Sequence, residues 1–204
     1  MNKNAQIFCD MDGVLVDFET AILELLKNSL DGNPLPNSKR TAGYFIKLEN
    51  IKKELGHNWR PEKGSDLKIP VVRNFMFYTV GLNPGPIFAN MPSYEDGISE
   101  LWPYLNSTGN IVNLLTAPIR HRKGATTTSE EGKNIWASRL TPSPSSIIIS
   151  PANKKSNYAV INGVKNILID DKNTTIQSWI DAGGIGILHT PKNSKETIRQ
   201  LKMI

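Results

Sequence analysis

Five residues, widely spaced along this 204-residue chain, stand where apolar runs stop. Asp10 and Asp12 follow Ile7-Phe8-Cys9, Thr116 follows Ile111 to Leu115, and Asp170-Asp171 follow Val164 to Ile169. In an open parallel sheet, ligands bind beyond the carboxyl ends of the strands. If these runs are strands of one sheet, four carboxylates and a hydroxyl gather along one edge. Carboxylates brought that close repel unless a cation joins them. Hard oxygen donors favour magnesium, and the set contains no His or Cys that would suggest zinc. A carboxylate held there can attack phosphorus, which splits one difficult displacement into two easier ones. A second carboxyl two residues away on a turn can protonate the leaving oxygen and later take a proton from water. The metal and a lysine would neutralise the charge spread over the transferring oxygens. Gly13 leaves room for a phosphate against backbone N–H groups. The plainer reading of Asp-x-Asp-Gly is a surface turn, since both residue types favour turns. The apolar run before it and the distant Asp-Asp pair weigh against that.

The elements that must position these residues follow from the spacing of apolar positions. Ile7–Cys9 reads as a buried strand. Phe18 to Leu30 has helical spacing and is stopped by Asp31-Gly32-Asn33-Pro34. From there to about Pro86 the pattern is irregular, with Tyr44, Phe45, Trp59, Phe75, Phe77 and Tyr78 among turn residues. Regular alternation then begins. Helices are expected over 93–105, 129–140 (Ser129 as N-cap), 154–161, 174–182 and 194–203. Strands are expected over 111–115, 147–149, 164–169 and 185–188. Strands alternating with helices predict an α/β protein, a three-layer Rossmann-like core with a parallel sheet. A small, mainly helical cap follows the first strand. The expected division is a core of 1–17 and 86–204 with an inserted cap of 18–85.

Composition bounds the rest. Hydrophobic residues make up 39% and charged residues 21%, enough for a packed core. No apolar run approaches the roughly 18 to 20 residues that span a bilayer. The apolar stretch before Asp10 is too short for a secretory signal. A lone cysteine, Cys9, excludes an intramolecular disulfide framework, and the expected compartment is the cytoplasm. The net charge of +5 comes from scattered basic residues: Lys39-Arg40, Lys52-Lys53, Arg120 to Lys123 and Lys154-Lys155. Without a basic block, small anions are favoured over a polymer, and no stable nucleic-acid partner is expected. A homodimer is compatible with the sequence, and no membrane partner is expected. His57, His121 and His189 lack metal-ligand spacing and read as surface or packing residues. Cys9 reads as inert core, and Trp102, Trp136 and Trp179 as core.

Four strings, Asp10-Met11-Asp12-Gly13-Val14-Leu15, Leu114-Leu115-Thr116, a downstream lysine, and Leu168-Ile169-Asp170-Asp171, resemble the motifs of the haloacid dehalogenase (HAD) superfamily of phosphatases. More narrowly, 12–18, 115–119, 133–136, 155–159 and 182–187 resemble the cytosolic-type 5′(3′)-deoxyribonucleotidase family and its bacterial and phage relatives. The resemblance covers roughly residues 5–20 and 85–190. It implies that Asp10 is the nucleophile and a magnesium ligand. Asp12 would be the acid/base, with its backbone carbonyl on the metal. Asp171 would be the third protein ligand, with Asp170 as support or alternate. Thr116 would bind phosphate, and Phe18 would pack near the substrate base. Relatives often carry serine after the threonine; here Ala117 offers only its backbone N–H. The lysine lies about ten residues before the Asp-Asp pair in the family, whereas Lys155 lies fifteen before Asp170. Lys155 is chosen because Tyr158-Ala159 follows it, with Lys154 and Lys165 as alternatives. Lys133 is a second substrate-site candidate that reads equally well as a solvated surface lysine.

The expected activity is therefore magnesium-dependent hydrolysis of a phosphate monoester through an aspartyl-phosphate, most narrowly that of a 5′-nucleotidase on nucleoside or deoxynucleoside monophosphates. The alternatives are a phosphatase of a sugar phosphate or of polynucleotide ends, and a non-catalytic nucleic-acid-binding module.

Overall fold

A computed structural model describes residues 4–33, 40–123 and 125–204. Pro34, in the expected helix stop, and Lys39, in the first basic pair, lie outside the described residues. The central sheet has five parallel strands in the order β3-β2-β1-β6-β7. They are β1 (Gln6–Cys9), β2 (Ile111–Thr116), β3 (Ser146–Ile149), β6 (Ile167–Asp170) and β7 (Ile185–Leu188). The chain moves outward from β1 on one side through β2 and β3, then crosses back to β6 and β7 on the other. β1 and β6 therefore flank the point where strand order reverses, the place where open α/β sheets bind ligands.

Right-handed crossovers in opposite directions send the connecting helices to opposite faces. On one face, Phe8, Leu115 and Leu168 form a core with Ile176 and Trp179 of α7 (Asn173–Asp181). Alternation turns Ile7, Cys9, Leu114 and Ile169, all fully buried, to the other face. That side receives α5 (Trp102–Ser107), which continues a π-helical turn at Gly97–Leu101, and α8 (Ser194–Leu201). The expected α/β architecture with a parallel sheet is what the chain adopts. Trp102, Trp136 and Trp179 are all buried, as their helical positions predict.

The chain forms two compact units. One comprises Met1–Asp17, Pro92–Pro118 and Trp136–Ile204; the other comprises Phe18–Met91 and Ile119–Ile135. The second unit contains α1 (Phe18–Leu30), α2 (Ala42–Leu55), α3 (Pro70–Leu82) and α4 (Pro84–Ala89). The irregular pattern there conceals a helical core in which Leu25, Leu26, Leu48, Ile51, Val72 and Phe75 pack around Tyr44. Residues 86–91 and 119–135 group with this unit. The contacts responsible include Arg122 N–H donating to Gly81 O at 2.8 Å and Gly85 N–H to Thr127 Oγ1 at 3.2 Å. Gly132 also packs so closely on the Gly85 backbone that no Cβ would fit.

Three local expectations are corrected. The expected helix at 154–161 is a short 3-10 stretch at Ala152–Tyr158, followed by a hairpin of β4 (Val160–Ile161) and β5 (Val164–Lys165). Its turn is Asn162-Gly163, with φ of 52° and 77°, the left-handed pair that a two-residue hairpin requires. The expected strand at 164–169 is accordingly two strands parted at Asn166. α6 runs over Ser129–Ala137, and Ser129 is not its cap. Thr128 Oγ1 accepts from Glu131 N–H while the Glu131 carboxylate accepts from Thr128 N–H, a reciprocal capping box. The last two helices end within two residues of expectation. Among the described residues no helix is long and apolar enough to cross a membrane.

His189 is a packing residue, 2% exposed, with Nδ1 2.8 Å from Thr197 Oγ1. Burial pushes its pKa down to about 4, the Asp96 carboxylate offsetting this only in part. The native state therefore stays neutral while the unfolded chain takes up a proton near pH 6.5. Stability is full above that pH and declines as pH falls toward 4. The shift corresponds to roughly 3 kcal/mol at most. His189→Gln is expected to flatten this part of the curve, read from urea midpoints at pH 7 and 4.5. An equally steep decline in the variant would locate the titration elsewhere.

Candidate active site

Asp10 is the first residue past β1 and is held in line with the sheet by its N–H, which donates to Ile169 O at 2.9 Å. Beyond it the chain folds into a tight loop. The N–H groups of Val14, Leu15 and Val16 all point to Met11 O, and Gly13 N–H donates to Val16 O. This loop carries the half-buried Asp12. Gly13 sits at φ +82°, and a Cβ there would stand 2.5 Å from the Asp171 carboxylate. Both the backbone sign and the space therefore demand glycine.

The loop is backed by the π-helical turn. A Cβ on Gly97 would lie 2.9 Å from Val14 O and 3.4 Å from Leu15 Cα, and Tyr94 N–H donates to Leu15 O. Gly97 thus lets one backbone rest on another, directly behind the segment that holds Asp12. Sequence reading passed over this glycine, because a lone glycine in a helical pattern gives no sign of what it touches.

Charge is concentrated and buried. Asp10, Asp170 and Asp171 each bring a carboxylate oxygen within 4.8 Å of the others. Lys155, 2% exposed, places its Nζ 2.9 Å from Asp10 Oδ2 and 2.8 Å from Asp170 Oδ2. Burial alone would lower the lysine's pKa; Asp10 and Asp170 hold it above its ordinary value. Both oxygens of Asp170 are engaged, the second by Lys172 N–H at 2.9 Å. Asp10 Oδ1 accepts from Met11 N–H at 2.8 Å. Asp171 differs, since its Oδ1 is buried without a hydrogen-bond partner. Burial and the Asp10 charge push the Asp171 carboxyl up to about 6, and the same two causes raise Asp170. One ammonium does not balance these carboxylates.

A buried carboxylate oxygen with no donor, beside other carboxylates, fits a hard divalent cation. The residues present suit such an ion: Asp171 offers the open oxygen and Asp10 the neighbouring one. Asp170 is committed to Lys155 and to its own loop, which makes it support for the site.

Thr116, fully buried, ends β2, and the half-buried Ala117 follows. Cys9 lies beneath, buried, with burial and Asp10 raising its thiol well above the ordinary value, in keeping with inert core. Of the lysines weighed at the sequence level, Lys154 and Lys165 are exposed. The β4–β5 hairpin lies in the link from Lys155 to Asp170. Asn166, at the base of that hairpin, went unnoticed. Its side chain accepts from Gln6 N–H and donates to Tyr158 O, while its backbone oxygen accepts from the Trp179 indole. It ties the ends of β1, the hairpin and α7 together.

Phe18 and Lys133 belong to the second unit. The Phe18 ring stacks on Phe88 at 6.2 Å, and Lys133 Nζ lies 4.9 Å from the centre of the same Phe88 ring. Lys133 is fully buried, so the solvated-surface reading is set aside. Phe75 and Phe88 are buried in the scaffold of this unit.

No protein-family model matches the chain, and no curated protein matches it by sequence. Solved structures do match. A HAD-superfamily hydrolase of subfamily IA, variant 1, from Geobacter sulfurreducens aligns over 98% of this chain and 97% of its own, with a TM-score of 0.51 and 13% identity. A structure described as a dehalogenase aligns over 100% and 98%, with a TM-score of 0.52 and 10% identity. Another, of a dehalogenase with an intermediate complex, aligns over 98% of each chain, with a TM-score of 0.52 and 12% identity. At such identities the likeness speaks to architecture. The chain has the Rossmann-like fold of HAD-superfamily hydrolases.

Proposed function

We propose that this protein is a magnesium-dependent phosphomonoester hydrolase that acts through an aspartyl-phosphate on Asp10. We further propose that its substrates are nucleoside or deoxynucleoside 5′-monophosphates. The observation that carries the reading is the buried set in which Lys155 bridges Asp10 and Asp170 while Asp171 Oδ1 is left without a donor.

In the first half-reaction an Asp10 carboxylate oxygen forms a bond to phosphorus. The bond from phosphorus to the ester oxygen breaks, and that oxygen leaves as an alcohol with a proton from Asp12. In the second half-reaction Asp12 takes a proton from water, whose oxygen attacks phosphorus. Inorganic phosphate departs and the Asp10 carboxylate is restored. Lys155 holds Asp10 oriented and ionised, and its positive charge offsets that of the phosphoryl oxygens. The Thr116 hydroxyl and Ala117 N–H are assigned to the phosphate, and Phe18 and Lys133 to the rest of the substrate. Asp10 and Asp171, with the Asp12 backbone carbonyl and with Asp170 behind them, would hold Mg²⁺, which when bound neutralises part of the charge on the phosphoryl group.

Removal of halide from carbon by a carboxylate is the competing chemistry on this fold. A halide leaves without needing a proton, so Asp12 would keep only the task of activating water against the ester left on Asp10, and the open oxygen of Asp171 would meet no cation. Both features support the phosphate reading. The narrower nucleotidase reading rests on the resembling strings around Asp12–Phe18, Leu115–Ile119 and Lys155–Ala159.

The deciding experiment is a phosphate-release assay over all nucleoside and deoxynucleoside monophosphates and a set of sugar phosphates, with and without magnesium. Turnover of nucleotides that requires the metal is expected. Comparable rates on sugar phosphates with none on nucleotides would overturn the substrate class. Silence across the panel would overturn the reaction.

A second expectation concerns Gly97. Gly97→Ala pushes on Val14 O and Leu15 Cα, displacing Asp12 by a fraction of an ångström while leaving the metal carboxylates alone. A fall in kcat of roughly 10- to 100-fold is expected, since misplacement by about 1 Å carries a cost of that order. KM should stay near wild type, and magnesium affinity, to which this loop contributes only the Asp12 carbonyl, should fall by less than kcat. Parallel loss of kcat and metal affinity would show that the whole site, rather than this loop, had moved.

A further inference from the structure

We infer that the second unit carries a binding surface for single-stranded nucleic acid, built from Lys47, Arg73, Phe77, Tyr78 and Arg122. The sequence shows basic residues scattered along the chain and favours small anions; the fold gathers them, and the inference goes the other way. It does not depend on the phosphatase reading.

The net charge is not evenly shared. Residues 18–91 and 119–135 hold fourteen Lys and Arg against nine Asp and Glu, whereas the sheet-bearing unit holds ten against ten. The whole +5 therefore belongs to the second unit. Within it, cations and aromatic rings interleave across α2, α3 and the segment after Ile119. Arg122 Cζ lies 4.4 Å and Lys47 Nζ 5.3 Å from the Tyr78 ring centre, and Arg73 Cζ lies 5.6 Å from that of Phe77. Phe77 is 42% exposed, and Arg73 and Arg122 are exposed. Among the described residues none of the three cations has a carboxylate within ion-pair distance.

The group is fixed in place. Arg122 is anchored by its backbone bond to Gly81 O, and Lys47 Nζ donates to Asn74 Oδ1 at 2.9 Å. Tyr78 Oη lies 2.8 Å from Thr41 Oγ1, in space that a side chain on Gly43 would fill. Cations unpaired by acids, beside an exposed ring, suit a ligand that alternates phosphates with flat bases. Phosphates take the charge and bases take the ring faces, including that of the guanidinium itself.

The test uses the full chain and an oligothymidylate of about 15 nucleotides with hydroxyls at both ends, which is no substrate for a phosphomonoesterase. Fluorescence anisotropy is read across a salt series. Binding is expected with a log–log salt slope of about −2, from three cations at roughly 0.7 each. Arg73→Gln with Arg122→Gln should weaken it at least 10-fold and flatten the slope. Phe77→Ala should weaken it about 5-fold or more at unchanged slope. Thermal melting checks that each variant is folded; Phe77→Leu, which keeps apolar bulk without a flat ring, replaces Phe77→Ala if that variant melts early. No binding at low salt, or binding untouched by the arginine changes, overturns the surface. Binding insensitive to Phe77 and displaced equally by inorganic polyphosphate overturns the assignment to nucleic acid.

Discussion

Asp10→Asn is expected to lower phosphate release by at least about 10⁴-fold while leaving the protein folded. The amide keeps the shape of the carboxylate and one carbonyl oxygen. Met11 N–H, which now donates to Asp10 Oδ1 at 2.8 Å, still finds an acceptor. Lost are the negative charge that attacks phosphorus and one partner of Lys155 Nζ at 2.9 Å. Removing a charge from a site that already holds more carboxylate than ammonium relieves repulsion, so thermal stability without magnesium should hold or rise. The measurement pairs single-turnover phosphate release with a melting curve in the absence of metal. Unchanged turnover would reject the covalent mechanism outright. Lost turnover with a collapsed melting temperature would make Asp10 a structural residue, its chemical role unproven.

What was legible in the sequence was the set of strand ends. Ile7-Phe8-Cys9 before Asp10, Ile111 to Leu115 before Thr116, and an apolar run before Asp170 are local signals: a buried strand must be apolar on both faces, and its exit is where polarity resumes. Asp12-Gly13 could be read as a turn for the same reason. The hairpin at Asn162-Gly163 was equally local and still escaped, because Lys154–Ile161 was read as a helix ending at the Asn-Gly pair, which instead joins two short strands. Thr128-x-x-Glu131 likewise spelled the true helix cap one residue before the expected one. Other features had no local trace. The burial of Lys133, the tying role of Asn166 and the backbone contact of Gly97 all depend on partners far away in sequence. A polar residue that is buried because its partners are buried looks, in a string of letters, like one that is solvated. The irregular insert was opaque for a related reason. Its core around Tyr44 and Phe75 draws two or three residues from each of three helices, so no single window shows the whole of it.

The choice of Lys155 over its neighbours leads to an expectation with two separable parts. Lys155→Met keeps most of the side-chain volume but removes the ammonium from between Asp10 and Asp170, both 3% exposed or less. Turnover should fall by about 10² to 10³, the usual loss when one charge-stabilising donor is withdrawn. Stability at pH 8 should fall by roughly 3 to 5 kcal/mol, because the partners are left buried and uncompensated. In the wild type the lysine's pKa is raised, so its contribution is intact across neutral pH and is lost only as pH climbs through that raised value. In the variant the titration moves to the carboxylates. Deprived of their cation, they hold protons more tightly when folded than when unfolded, so they favour the native state increasingly as pH falls. The deficit relative to wild type should therefore shrink between pH 8 and 5.5, as read from urea denaturation. Added magnesium should raise the variant's melting temperature by more than it raises that of the wild type, since the ion meets more unbalanced negative charge. Equal deficits at both pH values, with no greater response to magnesium, would mean that Lys155 does not hold these carboxylates, whatever became of the activity.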